Sequence, residues 1–307
     1  MRKNFDLSII IISYNTAKIT KDCLVSIKNS LKHSKLRVQI IVLDNNSKDN
    51  SKEVLKSLQK QFKNNLELKL VFSKENLGFS RGNNRAVSEA DSDYLLFLNS
   101  DTIILNQAID KLYRFYIKNE NKYQFVGPKL YYPNKQPQPS VGKFYNLWVV
   151  FLTFYLQGNK LGLTRTSPDK ITESDWLHGA CFMTKKDYYN KLNGFDEQIF
   201  MYMEEVDLFY RAKQKGFKSV FYPKAKIIHL EGASSKTKIK RTFPIIQLYQ
   251  GLLYFYKKHS YSKASMFVLK ALLRIKAELL FFIGKIINNQ YLTETYGQAK
   301  KIVADFR

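Results

Sequence analysis

Cysteine and long apolar segments are both scarce in this sequence. The 307 residues include 2 cysteines, Cys23 and Cys181, which form neither a disulfide framework nor a metal-binding spacing. We predict that both are core residues of a protein in a reducing compartment. The best membrane-spanning candidate, residues 264–284, contains four charged residues, whereas a spanning helix needs roughly 20 apolar ones. The charged residues 1–6 leave no room for a secretory signal, so we expect a cytoplasmic protein.

Acidic residues are also few. The chain has 26 Asp and Glu against 50 Lys and Arg, and its formal net charge of +24 favours an anionic partner such as nucleic acid, a nucleotide or an acidic membrane. The basic residues are scattered and no zinc-finger or helix-turn-helix pattern is present, which argues against nucleic acid. The hydrophobic content of 45% is enough for a substantial core.

The first hundred residues contain a regular alternation of predicted strands and helices. Short runs rich in β-branched residues indicate strands, and the longer mixed stretches between them indicate helices. This order is typical of an α/β protein with one Rossmann-like, mostly parallel sheet flanked by helices. The predicted strands span residues 7–13, 38–43, 66–73 and 94–98, and the predicted helices span residues 20–34, 50–63 and 81–90.

Polar clusters follow these strands, at the end of the sheet where parallel α/β proteins bind ligands. Asp44 and its neighbours can accept hydrogen bonds from a base or ribose, but they also suit the start of a helix. Residues 76–84 combine two glycines with Arg81 and several amides, which suits a diphosphate, although they match neither a P-loop nor a dinucleotide fingerprint.

Two further residues are candidate metal ligands. Asp101 closes the segment L-F-L-N-S-D after a buried strand, and a carboxylate there suits a hard divalent cation. An Asn-Ser-Asp sequence is equally a good turn or cap. His229 ends the apolar run K-I-I-H and can be a neutral imidazole ligand of the same ion, although a lone histidine is more often a packed structural residue.

The segment 201–211, M-Y-M-E-E-V-D-L-F-Y-R, places three carboxylates and an arginine among apolar residues. In a helix beginning near Glu204, Glu204 and Asp207 share one face and Asp207 faces Arg211. Glu205 then points about 100° away and is free to act on a ligand. The simpler interpretation is an acidic first turn favoured by the helix dipole, with a surface pair between Asp207 and Arg211.

Together these segments resemble the family-two inverting glycosyltransferases of GT-A fold, and most closely the bacterial rhamnosyltransferase group. The resemblance covers roughly residues 7 to 235 in unbroken order, and it is carried by five motifs and a later histidine. The motifs are S-I-I-I-I-S-Y-N, V-L-D-N-N-S-x-D, E-N-L-G-F-S-R-G-N-N, L-F-L-N-S-D and G-F-D-E-x-I-F-M-Y-M-E-E-V-D-L-x-x-R.

The resemblance implies a role for each matching residue. Asp101 and His229 would hold Mg²⁺ or Mn²⁺, with Asn99 standing where the family more often has Asp. Glu205 takes the position of the general base, where the family has Asp, and Glu204 is the reserve candidate. Asp207 and Arg211 would support the helix that carries Glu205. The acceptor side would be lined by Trp176, His178 and Gly179. The nucleotide sugar would be bound by Ser13, Tyr14, Asn15, Asp44, Asn76, Gly78, Phe79, Arg81, Asn84, Asn99 and Ser100.

The implied reaction is the inverting, metal-dependent transfer of a sugar from a pyrimidine nucleotide sugar to a lipid-linked saccharide in cell-surface polysaccharide synthesis. dTDP-rhamnose is the preferred donor, and a UDP-hexose or UDP-N-acetylhexosamine is the alternative. Outside this activity, a nucleotidyltransferase and a noncatalytic saccharide-binding or scaffold subunit stay open.

The C-terminal part is predicted to be a separate, helical region. We place a glycosyltransferase domain at residues 1–240, with a nucleotide-binding half (1–100) and a metal and acceptor half (101–240), followed by a basic amphipathic extension at 241–307. Its aromatic and basic helices favour peripheral binding to an anionic membrane at the cytoplasmic face of the plasma membrane. The alternatives are a helical hairpin packed on protein and a homodimer interface.

Overall fold

The computed structural model describes residues 4–230 and 238–306. Its strands are β1 (Leu7–Ser13), β2 (Val38–Asp44), β3 (Leu66–Phe72), β4 (Tyr94–Leu98), β5 (Thr102–Leu105), β6 (Phe125–Tyr131), β7 (Pro137–Gln138), β8 (Val141–Gly142), β9 (Arg165–Thr166), β10 (Thr172–Ser174), β11 (Trp176–Leu177), β12 (Cys181–Lys185) and β13 (Ser219–His229). Its helices are α1 (Ala17–Ser30), α2 (Ser51–Gln59), α3 (Gly78–Val87), α4 (Ala108–Asn119), α5 (Leu147–Tyr155), α6 (Lys186–Lys191), α7 (Glu204–Gln214), α8 (Lys238–Lys258), α9 (Lys263–Ile286) and α10 (Gln290–Asp305).

The predicted α/β sheet is confirmed. Its main path runs β10-β13-β6-β12-β4-β1-β2-β3, and β5 and β7 pair with β13 and β6 at the side of this path. Strand β1 is parallel to both β2 and β4, and β6 is parallel to β13. A separate small sheet has the order β11-β8-β9.

The antiparallel strand β12 decides where the polar residues meet. It lies between β4 and β6 and runs opposite to both, so β4, β6 and β13 all point the same way. The carboxyl ends of β1, β2, β4 and β13 and the start of β12 therefore lie along one edge of the sheet. This edge carries Asp44, Asp101 and His229, and also the turn before Cys181.

Both faces of the sheet are covered, because successive residues of each strand point to opposite sides. Ile10 and Phe97 belong to one hydrophobic cluster, whereas Ile9, Ile11 and Leu96 belong to the other. Double burial explains why the strands are continuous apolar runs. The two cysteines are core residues, as predicted, and burial raises the pKa of the Cys23 thiol to about 12.

Helix α8 is part of the core, and here the predicted membrane role of its aromatic segment is wrong. The side chains of Tyr249, Leu252, Leu253, Phe255 and Tyr256 are at most 1% exposed. They belong to the cluster that covers one face of the sheet, together with residues of β4 and α7. The predicted boundary near residue 240 coincides with the start of α8 but does not mark the end of the core. Within the described parts of the chain, none of the helices has the length and apolar character to cross a membrane.

Two further elements differ from the sequence-based expectation. Residues 102–119 form β5 and α4, which the strand and helix patterns did not predict. The apolar run that ends at His229 belongs to the long strand β13, which has a register shift between Tyr222 and Lys226. Pro223, which cannot donate a ladder hydrogen bond, lies inside this irregularity.

The burial of α8 leads to a stability prediction. Replacing Phe255, which is fully buried, by alanine should lower the free energy of unfolding by about 3 to 5 kcal/mol, because it removes apolar contacts and leaves a cavity. Urea denaturation measures this change. The control Phe267→Ala, at a side chain that is 74% exposed on α9, should stay within about 0.5 kcal/mol of the wild type. Equal effects of the two substitutions would contradict the assignment of α8 to the core.

Candidate active site

Asp44 lies at the end of β2 with one carboxylate oxygen unsatisfied. Its side chain is fully buried, and Oδ1 accepts a hydrogen bond from the Ser47 backbone N–H at 3.0 Å. Oδ2 is buried without a hydrogen-bond partner. A buried carboxylate oxygen is costly unless a donor reaches it. Asp44 is therefore both the turn residue and the candidate ligand that the sequence indicated.

Hydrogen bonds connect the loops that follow β1 and β2. Asn15, with a left-handed φ of 53°, receives a hydrogen bond from the Lys48 backbone N–H at 2.7 Å and donates its own N–H to Ser47 Oγ at 2.9 Å. The hydroxyl of Ser13 bonds Thr20 at 2.9 Å, whereas Tyr14 is 43% exposed beside it. Ser13 and Asn15 thus hold the end of β1 in place beside Asp44, and the Tyr14 side chain is accessible.

The glycine-containing loop joins the nucleotide half of the site to the segment before α7. Asn45 donates to Asn76 Oδ1 at 2.8 Å, and Phe79 N–H donates to the Phe200 carbonyl at 2.8 Å. Gly78 has a φ of +73°, and a Cβ there would lie 2.6 Å from the Phe200 ring. Only glycine fits this close approach.

Two residues of helix α3, Asn84 and Arg81, make contacts other than those expected for nucleotide-sugar ligands. Asn84 donates to the Phe195 carbonyl and to Glu197, and its oxygen accepts from the Phe195 N–H and the Tyr189 hydroxyl. These bonds attach α3 to α6 and to the turn that precedes α7. Arg81 is exposed and pairs with Glu75 at 3.3 Å.

The two predicted metal ligands lie side by side at the sheet edge. His229 Nε2 is 3.3 Å from Asp101 Oδ1 and 3.5 Å from the Asn99 amide nitrogen. The other ring nitrogen, Nδ1, is 3.1 Å from Gln138 Oε1, a partner that the sequence did not indicate. If Nδ1 donates its hydrogen to Gln138, Nε2 presents a lone pair to the Asp101 carboxylate. Two electron-rich atoms at this distance need a proton or a cation between them.

This pair fits a divalent cation. Two ligands about 2.1 Å from Mg²⁺ at right angles are roughly 3 Å apart, close to the observed spacing. The residues that the structure describes contain no group of three or more His, Cys, Asp and Glu side chains arranged to hold a metal. The protein would thus supply the carboxylate of Asp101 and the imidazole of His229, and the phosphate oxygens of a ligand would complete the coordination.

The turn between β11 and β12 links this pair to the acidic helix. The ring of His178 is 5.2 Å from that of His229, and its Nδ1 accepts the Ala180 N–H at 3.0 Å. Burial and then Arg165 hold the pKa of His178 well below its usual range, so the ring is neutral. A Cβ at Gly179 would lie 3.6 Å from Glu205, so the backbone of this turn lies directly against that side chain.

Trp176 differs from the expectation that it lines the acceptor side. Its side chain is 2% exposed, and the indole N–H donates to the Lys143 carbonyl at 2.9 Å. The Arg165 guanidinium lies over the indole at 5.1 Å. Trp176 therefore lies below the site and supports Arg165 by packing against it. The Nε atom of Arg165 is buried without a hydrogen-bond partner. Nothing in the sequence around Arg165 marks it as a site residue.

Glu204 and Glu205 differ in their surroundings. Glu204 is buried with Oε2 unsatisfied, and burial together with the neighbouring Glu205 carboxylate raises its pKa well above the usual range. Glu205 is partly buried, and burial raises its pKa too, but Arg165 and the Gly179 backbone favour its ionised form. Ionisation is therefore less favourable at Glu204 than at Glu205, and Glu205 is the more accessible of the two.

Asp207 is a fully buried charge and not part of a surface pair. The predicted partner Arg211 bonds it through Nε at 2.8 Å, and two residues of the C-terminal region, Lys258 and His259, reach it at 2.6 and 2.8 Å. Burial opposes ionisation, but hydrogen bonds from His259 and Lys258 and the charge of Arg211 lower the pKa of Asp207 to about 2. Lys258 also pairs with Asp196 at 2.6 Å.

Arg211 connects α7 to the preceding turn as well. Its guanidinium donates to the backbone carbonyls of Leu192 and Gly194. Two non-glycine residues, Tyr202 and Met203, have left-handed φ angles of 65° and 72° immediately before α7. Such conformations persist where the surroundings fix them, as they do next to functional side chains. Here the two residues form the irregular turn that immediately precedes Glu204 and Glu205.

The mixed sheet, with polar residues along one edge, has the architecture of the GT-A fold, an α/β fold of enzymes that use nucleotide sugars. A mannosyltransferase from Pyrobaculum calidifontis, PcManGT, solved in complex with GDP-Man and Mn²⁺, has the same fold with a TM-score of 0.55. The two chains are 14% identical, and the comparison covers 99% of this chain and 89% of that one. At this identity the likeness concerns the fold alone, and the predicted GT-A fold is confirmed.

The chain belongs to glycosyl transferase family 2, whose sequence pattern matches residues 8–192, more than half of the chain. It is 29% identical over 175 residues to rhamnosyltransferase WbbL of Escherichia coli, which covers 54% of this chain and 66% of WbbL. It is 40% identical over 60 residues to the N-acetylglucosaminyl-diphospho-decaprenol L-rhamnosyltransferase of Mycobacterium tuberculosis, or 20% of each chain. The chain thus spans slightly less than two thirds of WbbL and a fifth of the mycobacterial protein.

The buried Asp207 network leads to a second stability prediction. Asp207→Asn should lower the free energy of unfolding at neutral pH by about 3 to 5 kcal/mol, because it leaves the partly buried cations Arg211 and Lys258 without this counter-charge. The measurement is urea denaturation. Asp187→Asn is the matched control, since Asp187 forms an exposed i,i+4 pair with Lys191 at 2.8 Å and should contribute at most about 0.5 kcal/mol. A loss no larger than the control's would show that the network is not stabilising.

Proposed function

We propose that this protein is an inverting glycosyltransferase that moves a sugar, with L-rhamnose from dTDP-rhamnose as the first candidate, to a lipid-linked saccharide in polysaccharide synthesis at the cell surface. The observation that carries the proposal is the meeting of three groups at one sheet edge. These are the unsatisfied buried carboxylate of Asp44, the Asp101 and His229 pair, and the Glu205 carboxylate beside Gly179.

The donor is bound at the carboxyl ends of β1, β2 and β4. Asp44 Oδ2, being buried and unsatisfied, accepts a hydrogen bond from an N–H of a pyrimidine base. Ser13, Tyr14 and Asn15 border the base, and the loop of Asn76, Gly78 and Phe79 borders the sugar nucleotide. Arg81 is exposed, so it can leave Glu75 and approach the diphosphate. Asn84 acts as a positioning residue for the turn before α7.

Asp101 and His229 hold Mg²⁺ or Mn²⁺, with Asn99 and Ser100 beside them. When bound, the divalent ion neutralises charge on the diphosphate that leaves. Mn²⁺ in the PcManGT complex makes it the first ion to test. Gln138 fixes the imidazole by its contact with Nδ1, the usual arrangement behind a histidine ligand.

Glu205 is the general base. It accepts the proton of the acceptor hydroxyl while that oxygen attacks the anomeric carbon from the side opposite the leaving diphosphate, so the anomeric centre inverts. Its longer side chain, compared with the aspartate usual in the family, is accommodated because the facing residue is Gly179. Glu204 is too deeply buried for this role. Asp207 and Arg211 position α7, and His178 lines the acceptor side.

The acceptor is proposed to be lipid-linked, as the name of the mycobacterial relative indicates for that protein. Such an acceptor and the net charge of +24 favour peripheral binding at the anionic, cytoplasmic face of the plasma membrane. A UDP-hexose or UDP-N-acetylhexosamine is the alternative donor, and a thermal-shift screen of dTDP-rhamnose against the UDP-sugars distinguishes the two.

The general-base assignment predicts different outcomes for two adjacent substitutions. Glu205→Gln should lower kcat by about 10²- to 10⁴-fold, because the neutral amide cannot accept the proton. Glu204→Gln should keep most of the activity. The assay is release of nucleoside diphosphate with inversion at the transferred sugar followed by NMR. Full activity of Glu205→Gln with loss in Glu204→Gln would reverse the assignment.

The same assignment predicts the pH dependence of kcat/KM. Burial raises the pKa of Glu205, and the base works only when ionised, so the acid limb should lie above the usual glutamate pKa of about 4.5. Activity should rise with pH through this limb. An inflection at or below the ordinary glutamate value would contradict a buried base.

The metal site predicts a binding defect that needs no turnover. With nucleoside diphosphate present, Asp101→Ala and His229→Ala should each weaken Mn²⁺ binding. The loss of affinity should exceed the roughly 10- to 100-fold that follows from removing a residue that only supports a metal ligand. Electron paramagnetic resonance titration measures the free ion. Asp187→Ala on α6 is the control and should bind like the wild type. Unchanged Mn²⁺ affinity in both site variants would remove the metal from the proposal.

A further inference from the structure

Helix α9 has one buried and one exposed apolar face. Leu269, Leu273 and Ala277 are fully buried against the rest of the protein. On the other side, Ile275, Phe282 and Ile286 are 57%, 62% and 68% exposed. Val268, Ile275, Leu279, Phe282 and Ile286 recur at intervals of three, four or seven residues, so they form a stripe along the helix. Large apolar side chains exposed in such a row mark an interaction surface.

Helix α5 extends this stripe with aromatic residues. Trp148 is 63% exposed and stacks on Phe151, which in turn stacks on Tyr155. The Tyr155 hydroxyl donates to the Leu272 carbonyl of α9 at 2.5 Å, and Lys276 lies 5.6 Å from the centre of the Tyr155 ring. The two helices therefore present one continuous surface, here called the α5–α9 face. It consists of Trp148, Phe151, Tyr155, Ile275, Leu279, Phe282 and Ile286.

Most of the charged residues of helix α9 are positive. Helix α9 contains the five basic residues Lys263, Lys270, Arg274, Lys276 and Lys285, but only one acidic residue, Glu278. Glu278 is already paired with Lys300 at 2.6 Å. Lysine and arginine can keep their charge in water while their methylene groups lie along an apolar surface. Exposed tryptophan and tyrosine also suit the boundary between water and lipid.

We propose that the α5–α9 face binds the surface of an anionic lipid bilayer, with its apolar side chains at the acyl boundary and its cations at the headgroups. Charge complementarity favours this occupant over a second copy of the chain, because pairing two such faces would bring like charges together. The inference rests on the proposed lipid-linked acceptor for its biological meaning. It assigns the membrane contact to α5 and α9, since the aromatic residues Tyr249, Phe255 and Tyr256 of α8 are buried.

The position of the face agrees with delivery of a lipid-linked acceptor. Helix α5 begins soon after β8, and β8 pairs with β11 through Gly142 and Trp176. Strand β11 leads directly into His178 and Gly179, next to Glu205. Helix α5 thus follows a strand that is paired with β11, the strand that immediately precedes the acceptor-side residues.

The test compares three proteins by sedimentation with phosphatidylcholine vesicles, with and without phosphatidylglycerol. The wild type should sediment with the vesicles that contain phosphatidylglycerol. The variant Ile275→Ser, Phe282→Ser, Ile286→Ser should lose about tenfold or more of this partitioning, because three apolar side chains no longer leave water. The variant Val25→Ser, Ile117→Ser changes residues that are 38% and 36% exposed on α1 and α4, and it should bind like the wild type.

Three results would overturn the inference. The first is a wild-type protein that does not bind anionic vesicles, and the second is a triple variant that binds them as well as the wild type. The third is a wild-type dimer, seen by light scattering, that the triple variant abolishes while vesicle binding stays the same. Turnover with a water-soluble acceptor is measured separately. If the protein is inactive but binds vesicles through the α5–α9 face, the proposed function alone is refuted. If the protein is active but does not bind vesicles through this face, this inference alone is refuted.

Discussion

The buried carboxylate of Asp207 is the interaction on which the rest of the site depends. It has no exposure to solvent, so its charge is tolerable only because Arg211, Lys258 and His259 surround it. Those partners come from α7 itself and from the end of α8 and the residue after it. One carboxylate therefore fastens the helix that carries Glu205 to the C-terminal region and, through Arg211, to the turn at Gly194.

Helix α7 also places two adjacent carboxyl groups in different surroundings, so that they differ in how readily they ionise. Glu204 lies under the protein surface, where ionisation is unfavourable, and Glu205 lies against Gly179 within the field of Arg165. The contrast arises from position around the helix axis, since neighbouring residues point about 100° apart. Two carboxyl groups with unequal proton affinity are a common basis for acid and base roles in active sites.

Much of the fold could be predicted from the sequence because its signals are local. The strands at residues 7–13 and 94–98 were predicted with the bounds that the structure has, since buried β-branched and aliphatic runs specify them directly. The position of β12 between β4 and β6 depends on pairing across the sheet and has no local signal. Residues 102–119 were missed because short strands and ordinary amphipathic helices are weakly marked.

The candidate site was predictable to a similar degree and for the same reason. Motifs located Asp44, Asp101, Glu205 and His229, which stand at strand ends or at the start of a helix. What the motifs did not reveal was each residue's surroundings. Trp176 is beneath the site, and Lys258 and His259 bind a carboxylate 51 and 52 residues earlier in the chain. A basic and aromatic helix has the same composition whether it faces lipid or a protein core, so only packing distinguishes α8 from α9.

The pairing of Asp207 with His259 also constrains the order of folding. The contact spans 52 residues, and those between Asn84 and Phe195 and between Asn99 and His229 span 111 and 130. Contacts of such separation form only after long loops have closed. During synthesis, Arg211 is the one of the three partners of Asp207 that is available before the end of α8 has left the ribosome. The helix that presents the base therefore gains its full set of charged contacts late, after the whole of α8 has been made.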